Sequence, residues 1–133
     1  MMLPKGTMIA VADGEKLILF RNSGDEAELT LTAAEHSQVD DDATGSGSRR
    51  NSSGNPDQSQ ASEDGFSAGI VELLNKGVLG GQIEGLVVIA PPRALGEMRK
   101  HYHKALSAKL LGEIAKDLTG HSIADVTKAI QAA

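Results

Sequence analysis

The run Gly85-Leu-Val-Val-Ile-Ala90 is apolar from end to end, and Pro91-Pro92 cuts it short. It is far below the roughly 20 residues of a membrane span, and it leaves no polar side for water. Such a run is expected of a strand buried on both faces of a sheet. Whatever the rest of the chain does, it must cover both sides of that strand.

The flanking residues supply helices. Before the strand, Phe66, Ile70, Leu73, Leu74 and Val78 recur on one helical face, with Glu63 and Asp64 near the favourable N-terminal end. Gly77, Gly80 and Gly81 mark the stop. After the strand, Pro92 is placed to open a helix, and Leu95, Met98, Tyr102 and Leu106 continue at helical spacing. At the far end Ser122 is an N-cap candidate, with Asp125 three residues on and Ile123, Val126 and Ile130 as the apolar face. Between these helices the stretch 108–118 is ambiguous. Leu110, Leu111, Ile114 and Leu118 fit a helix, and an edge strand fits less well, so pattern alone favours helix.

The first 36 residues read as strands. Thr7–Ala12 and Lys16–Arg21 are apolar runs joined through Asp13-Gly14, a dipeptide suited to a tight hairpin turn. Ser23-Gly24-Asp25 is a second turn signal, and Glu28–Thr32 alternates polar and apolar with period two. Three antiparallel strands in succession make a meander.

Composition then breaks. From Ser37 to Asp64 the apolar residues are Val39, Ala43 and Ala61 alone, in a background of Ser, Gly, Asn, Asp and Gln. Such a segment cannot bury enough surface to offset its ordering entropy, and a loop of this length is either a plain flexible insertion or a functional element. The sequence predicts one domain over 1–133 with a flexible polar loop at 37–64.

Charge and residue types exclude several function classes. The net charge of −5 repels nucleic acid and anionic membranes unless a local basic patch overcomes it. With Phe20, Phe66 and Tyr102 as its only aromatic residues, the chain cannot offer a broad stacking surface for single-stranded nucleic acid. No cysteine is present, so there is no disulfide partner, thiolate metal site or cysteine nucleophile. Met8–Ala12 is too short for a signal sequence, and no run suits membrane insertion; the cytoplasm is the expected location.

Leu3-Pro4-Lys5-Gly6, Val11-Ala12-Asp13-Gly14, Asp64-Gly65-Phe66, Ala90-Pro91-Pro92-Arg93 with Leu95-Gly96, Arg99-Lys100-His101-Tyr102 and Lys116-Asp117-Leu118-Thr119 together resemble the bacterial host-attachment protein family. The resemblance spans nearly the whole chain, the loop being least constrained. That family is similar to the middle domain of archaeo-eukaryotic peptide-release factors. The resemblance therefore implies an α/β, ribonuclease H-like fold: a mixed five-stranded sheet in the order β-β-β-α-β-α-β-α, with a long disordered loop after strand 3. It makes residues near 110–117 the fifth strand, against the helical pattern. It further implies a cytoplasmic binding module linked to attachment of bacteria to host cells, or alternatively an RNA- or ribosome-associated release-factor-like module.

The resemblance also directs attention to Gly80-Gly81-Gln82, because a Gly-Gly-Gln loop serves peptidyl-tRNA hydrolysis in release factors. There the motif lies between the third strand and the first helix. Here it follows that helix, where glycines end it. The equivalent place is held by the polar loop, whose Arg49 and Arg50 could grip phosphate or carboxylate, or else balance Asp40, Asp41 and Asp42. A second cluster joins Arg93, Arg99, Lys100, His101, His103 and Lys104. Arg93 stands beyond the carboxyl end of the central strand and near a helix start, where anions bind; the plainer reading is a solvated basic face with Glu97 paired to His101. Lys116 and Asp117 close the expected fifth strand. No catalytic set, metal site or cofactor emerges: Asp13 and Asp117 are too few for a two-metal centre, and His101 and His103 do not face each other on a helix. An enzyme is not expected, and the partner is left open between RNA or the ribosome and a protein engaged through the loop.

Overall fold

The strand made by the central apolar run, Leu86–Ala90, is buried at every residue. The structure, a computed structural model, describes residues 1–34 and 58–133. Its elements are β1 (Met8–Ala12), β2 (Leu17–Asn22), β3 (Leu31–Ala33), α1 (Gln58–Leu79), β4 (Leu86–Ala90), α2 (Pro92–Arg99), α3 (Lys104–Lys109), β5 (Leu110–Ala115) and α4 (Ile123–Ala132). They form an α/β fold with one mixed sheet in the order β3-β2-β1-β4-β5. β1, β4 and β5 are mutually parallel, and β2 is antiparallel to both its neighbours, β1 and β3, as the meander requires, so β3 points the same way as β1. This is the ribonuclease H-like sheet that the resemblance implies.

Two cores sandwich the sheet. On one face Met8, Ala10, Ala12, Leu19, Leu86, Val88 and Ala90 meet Ile70, Leu74, Leu95, Met98 and Leu106 of α1, α2 and α3. On the other Ile9, Val11, Phe20, Val87, Ile89 and Ile114 meet Val126 and Ile130 of α4. Ser122 caps α4 as expected, its hydroxyl accepting the Asp125 amide at 3.2 Å.

Residues 110–115 form the fifth strand, as the resemblance implies and against the local pattern, because β4 offers a free edge on which the segment pairs. Three expectations change. The helix of Leu95, Met98, Tyr102 and Leu106 is broken into α2 and α3. Asn75 of α1 holds the break from outside: its Nδ2 donates to the His101 carbonyl at 3.2 Å and its Oδ1 accepts the His103 amide at 3.0 Å. His103 then caps α3, its ring nitrogen accepting the Ala105 amide at 3.0 Å. α1 starts at Gln58, so 58–64 is helical rather than loop, and Glu63 and Asp64 fall beyond the first turn. Residues 37–57 of the expected loop lie outside the described residues. Finally, Gly14 has no positive φ. The turn after β1 is built by Asp13 instead, whose Oδ1 accepts the amides of Glu15 and Lys16, each at 2.6 Å.

The glycines after α1 act as helix terminators. Gly81 takes φ +81°. Its amide donates to the Val78 carbonyl at 3.1 Å and that of Gln82 to the Gly77 carbonyl at 2.9 Å. That pair of bonds is the Schellman stop. Gly77 leaves room for Ile83: a Cβ would stand 2.6 Å from Ile83 Cδ1, so Ile83 would have to shift.

Candidate functional site

The parallel register brings the carboxyl ends of β1, β4 and β5 to one end of the sheet, with Ala12, Ala90 and Ala115 as their last residues. Ligands commonly bind beyond strand ends of this kind. Three short segments emerge there: the Asp13 turn, Pro91-Pro92-Arg93 opening α2, and Lys116-Asp117-Leu118-Thr119.

Thr119 links the first and third of them. Its hydroxyl lies 2.8 Å from Asp13 Oδ2 and 2.9 Å from Asp117 Oδ1. One hydroxyl proton serves one carboxylate at a time, so Thr119 alternates between two acceptors. Burial raises the Asp13 pKa, but the Glu15 amide, the Thr119 hydroxyl and the Lys16 amide and charge outweigh it and hold the carboxyl below its ordinary value. Asp117 also accepts the Thr119 amide at 3.3 Å. The two aspartates thus shape turns. Among the described residues no group of three or more His, Asp or Glu is positioned to hold a metal ion.

The segment that leaves this end and forms α2, α3 and β5 is rich in cations. Between Arg93 and Lys116 stand Arg93, Arg99, Lys100, Lys104, Lys109 and Lys116, against Glu97 and Glu113 as the only carboxylates. The chain as a whole has the opposite balance. Arg99 reaches from the end of α2 to β5, its Nε and Nη2 donating to Glu113 Oε1 at 3.1 and 2.9 Å. Tyr102 donates to Glu113 Oε2 at 2.8 Å. Burial would raise the Glu113 pKa; the bonds from Arg99 and Tyr102 reverse that and keep it ionised. Burial and the adjacent carboxylate push the Tyr102 phenol far up, so it stays a donor. Lys100 and His101 share Glu97, at 3.0 and 3.3 Å. The Lys100 hydrogen bond is the main reason the Glu97 carboxyl stays below its ordinary value.

Of the residues singled out in the sequence, Arg49 and Arg50 lie outside the described residues. Arg99 and Lys100 are spent in ion pairs, and Asp117 in its turn. Arg93 and Lys116 are exposed with no polar partner among the described residues, as are Lys104 and Lys109. Sequence reasoning missed Glu113, Thr119 and Asn75, whose partners lie 11 to 106 residues away. It also passed over Lys109, which the ambiguous segment concealed.

The model of bacterial archaeo-eukaryotic release factor family 12 matches residues 6–130. It bears on the release-factor side of the resemblance seen in the sequence, not on host attachment. No curated protein matches the chain.

Proposed function

Since the chain belongs to that release-factor family, we propose that it is an RNA- or ribosome-associated module that binds phosphates through the basic surface of α2, α3 and β5. One observation carries the reading. In a chain of net charge −5, this stretch has six cations and two carboxylates. The two carboxylates neutralise Arg99 and Lys100, leaving Arg93, Lys104, Lys109 and Lys116 facing solvent. Phe20 is buried in the sheet, and Phe66 and Tyr102 pack against the α1-side core, so the described residues offer no open platform for base stacking. Binding is therefore to backbone phosphates and indifferent to base sequence.

Arg49 and Arg50, in the sequence position of the release factors' catalytic loop, would add phosphate contacts by that analogy. The Gly-Gly-Gln of this chain ends α1 and takes no part in peptide release. The protein works in the cytoplasm as a non-catalytic binder, and any effect on bacterial attachment to host cells is indirect.

Filter binding to tRNA and co-sedimentation with ribosomes, over a salt series, test the proposal. Four phosphate contacts give a log–log salt slope of about −3 for single-stranded RNA. Replacing Arg93, Lys104, Lys109 and Lys116 with Gln should remove most of that slope, and Arg49→Ala with Arg50→Ala should weaken binding further. Undetectable binding by the wild type, or the same slope in the fourfold variant, overturns the reading.

A further inference from the structure

On the face of the sheet that α1 covers, one position departs from the apolar rule. β2 turns Leu17 and Leu19 toward α1, and Ile18 and Phe20 toward α4. Period two puts Arg21 on the α1 side, opposite Met8, which is 5% exposed. An arginine at a core-facing position needs a polar environment. Here it borders a groove of about 500 Å³ between β1, β2 and the last turns of α1. That volume is in the range of small-molecule sites, about 300–1,000 Å³.

The groove has an apolar body and a cationic rim. Met8, Leu19, Leu73 and Ile83 line it together with Arg21 and Lys76, and no acidic residue does. Arg21 Nη1 donates to the Gly6 carbonyl at 3.0 Å, which fixes the guanidinium. No carboxylate pairs with it among the described residues, so its other donors are unspent. Among the described residues Lys76 meets only Glu72, one turn back at 3.4 Å, and its side chain is 74% exposed. The carbonyls of Lys76, Gly77 and Val78 at the end of α1 are taken by the amides of Gly80 to Ile83, which weakens the negative pole of the helix beside the groove.

We propose that this groove binds a small amphiphilic anion: a monocarboxylate with an aliphatic or aromatic body. The apolar part lies against Leu19 and Leu73, and the carboxylate is held by Arg21 with Lys76 at the rim. The site is separate from the basic surface of α2 and α3, and does not depend on RNA binding.

Octanoate and 1-octanol, titrated into the full chain by calorimetry and ¹H–¹⁵N correlation spectra, test it. Octanoate should bind saturably at one site, with amide shifts confined to Met8, Leu19–Arg21 and Leu73–Ile83. Arg21→Gln should weaken octanoate about tenfold, the size of one charge-assisted hydrogen bond, and Arg21→Lys should recover part of it. Lys76→Gln, at an exposed position, should weaken it about threefold; 1-octanol should bind wild type and variants alike. Shifts elsewhere, no saturation, or equal octanoate affinity in wild type, Arg21→Gln and Lys76→Gln overturn the proposal. Loss of 1-octanol binding in Arg21→Gln also overturns it, because the arginine would then be shaping the groove rather than reading charge.

Discussion

The two faces of the sheet solve the same problem with opposite choices of side chain. Under α1, α2 and α3 the parallel strands present Ala10, Ala12 and Ala90 toward their carboxyl ends, beside Met8, Leu86 and Val88, and the helices add the bulk of Ile70, Leu74, Leu95, Met98 and Leu106. Under α4 the sheet itself brings the bulk, with Ile9, Val11, Ile89 and Ile114, and the helix adds Val126 and Ile130. Three helices crowd one face, and the strands beneath them are small at Ala10, Ala12 and Ala90. One ten-residue helix covers the other, so the strands must reach up to it. The first face is sensitive to added volume in the sheet and to lost volume in the helices.

The largest effect expected from this contrast is truncation in α1. Leu74 is fully buried, so Leu74→Ala removes transfer free energy and leaves a cavity in the core between α1 and the sheet, costing about 2–5 kcal/mol. Urea unfolding followed by circular dichroism measures it. A loss under about 1 kcal/mol would mean that the helices close onto the sheet and that the small residues do not set their distance.

The converse change ranks next. Ala10→Val adds two methyl groups at a fully buried position under α1 and should cost about 1–3 kcal/mol. Val11→Ile adds one methylene on the opposite face and should cost less, because a single helix can ride outward. Equal losses from the two variants would break the comparison between the faces.

Legibility follows the same physics. β4 was readable because burial on both faces leaves it wholly apolar, and α4 because its cap and stripe are local. β5 was not. Its pairing with β4 skips from Leu86–Leu110 to Val87–Gly112, leaving Leu111 as the extra residue of a bulge. The bulge lets Leu110 pack with the α1 core while Ile114 joins the α4 core. Residues four apart thus serve opposite faces, yet their spacing mimics one helical stripe. The end of α2 was hidden for a different reason: its instruction comes from Asn75, over 20 residues upstream. At the candidate site the cations were legible as a cluster. Which of them are free was not, since that depends on Glu113 arriving from β5.

Glu113 sharpens the comparison at its smallest scale, because it ties α2 of the crowded face to the edge strand without burying apolar surface. Its folded pKa lies below the ordinary 4.5. A depressed carboxylate stabilises the fold fully above its unfolded pKa, and that contribution fades as pH falls through the folded value. Wild type should therefore lose part of its urea midpoint below about pH 4.5. Glu113→Gln keeps an acceptor for the Tyr102 hydroxyl but not the charge facing Arg99. It should lower stability at pH 7 by under about 1 kcal/mol, since the pair is partly solvated. The gap between variant and wild type should then narrow toward pH 3, leaving the Asp13 turn as a shared source of acid sensitivity. A gap that stays constant from pH 7 to pH 3 would show that Glu113 acts by shape, and would leave apolar packing as the sole bond between α2 and β5.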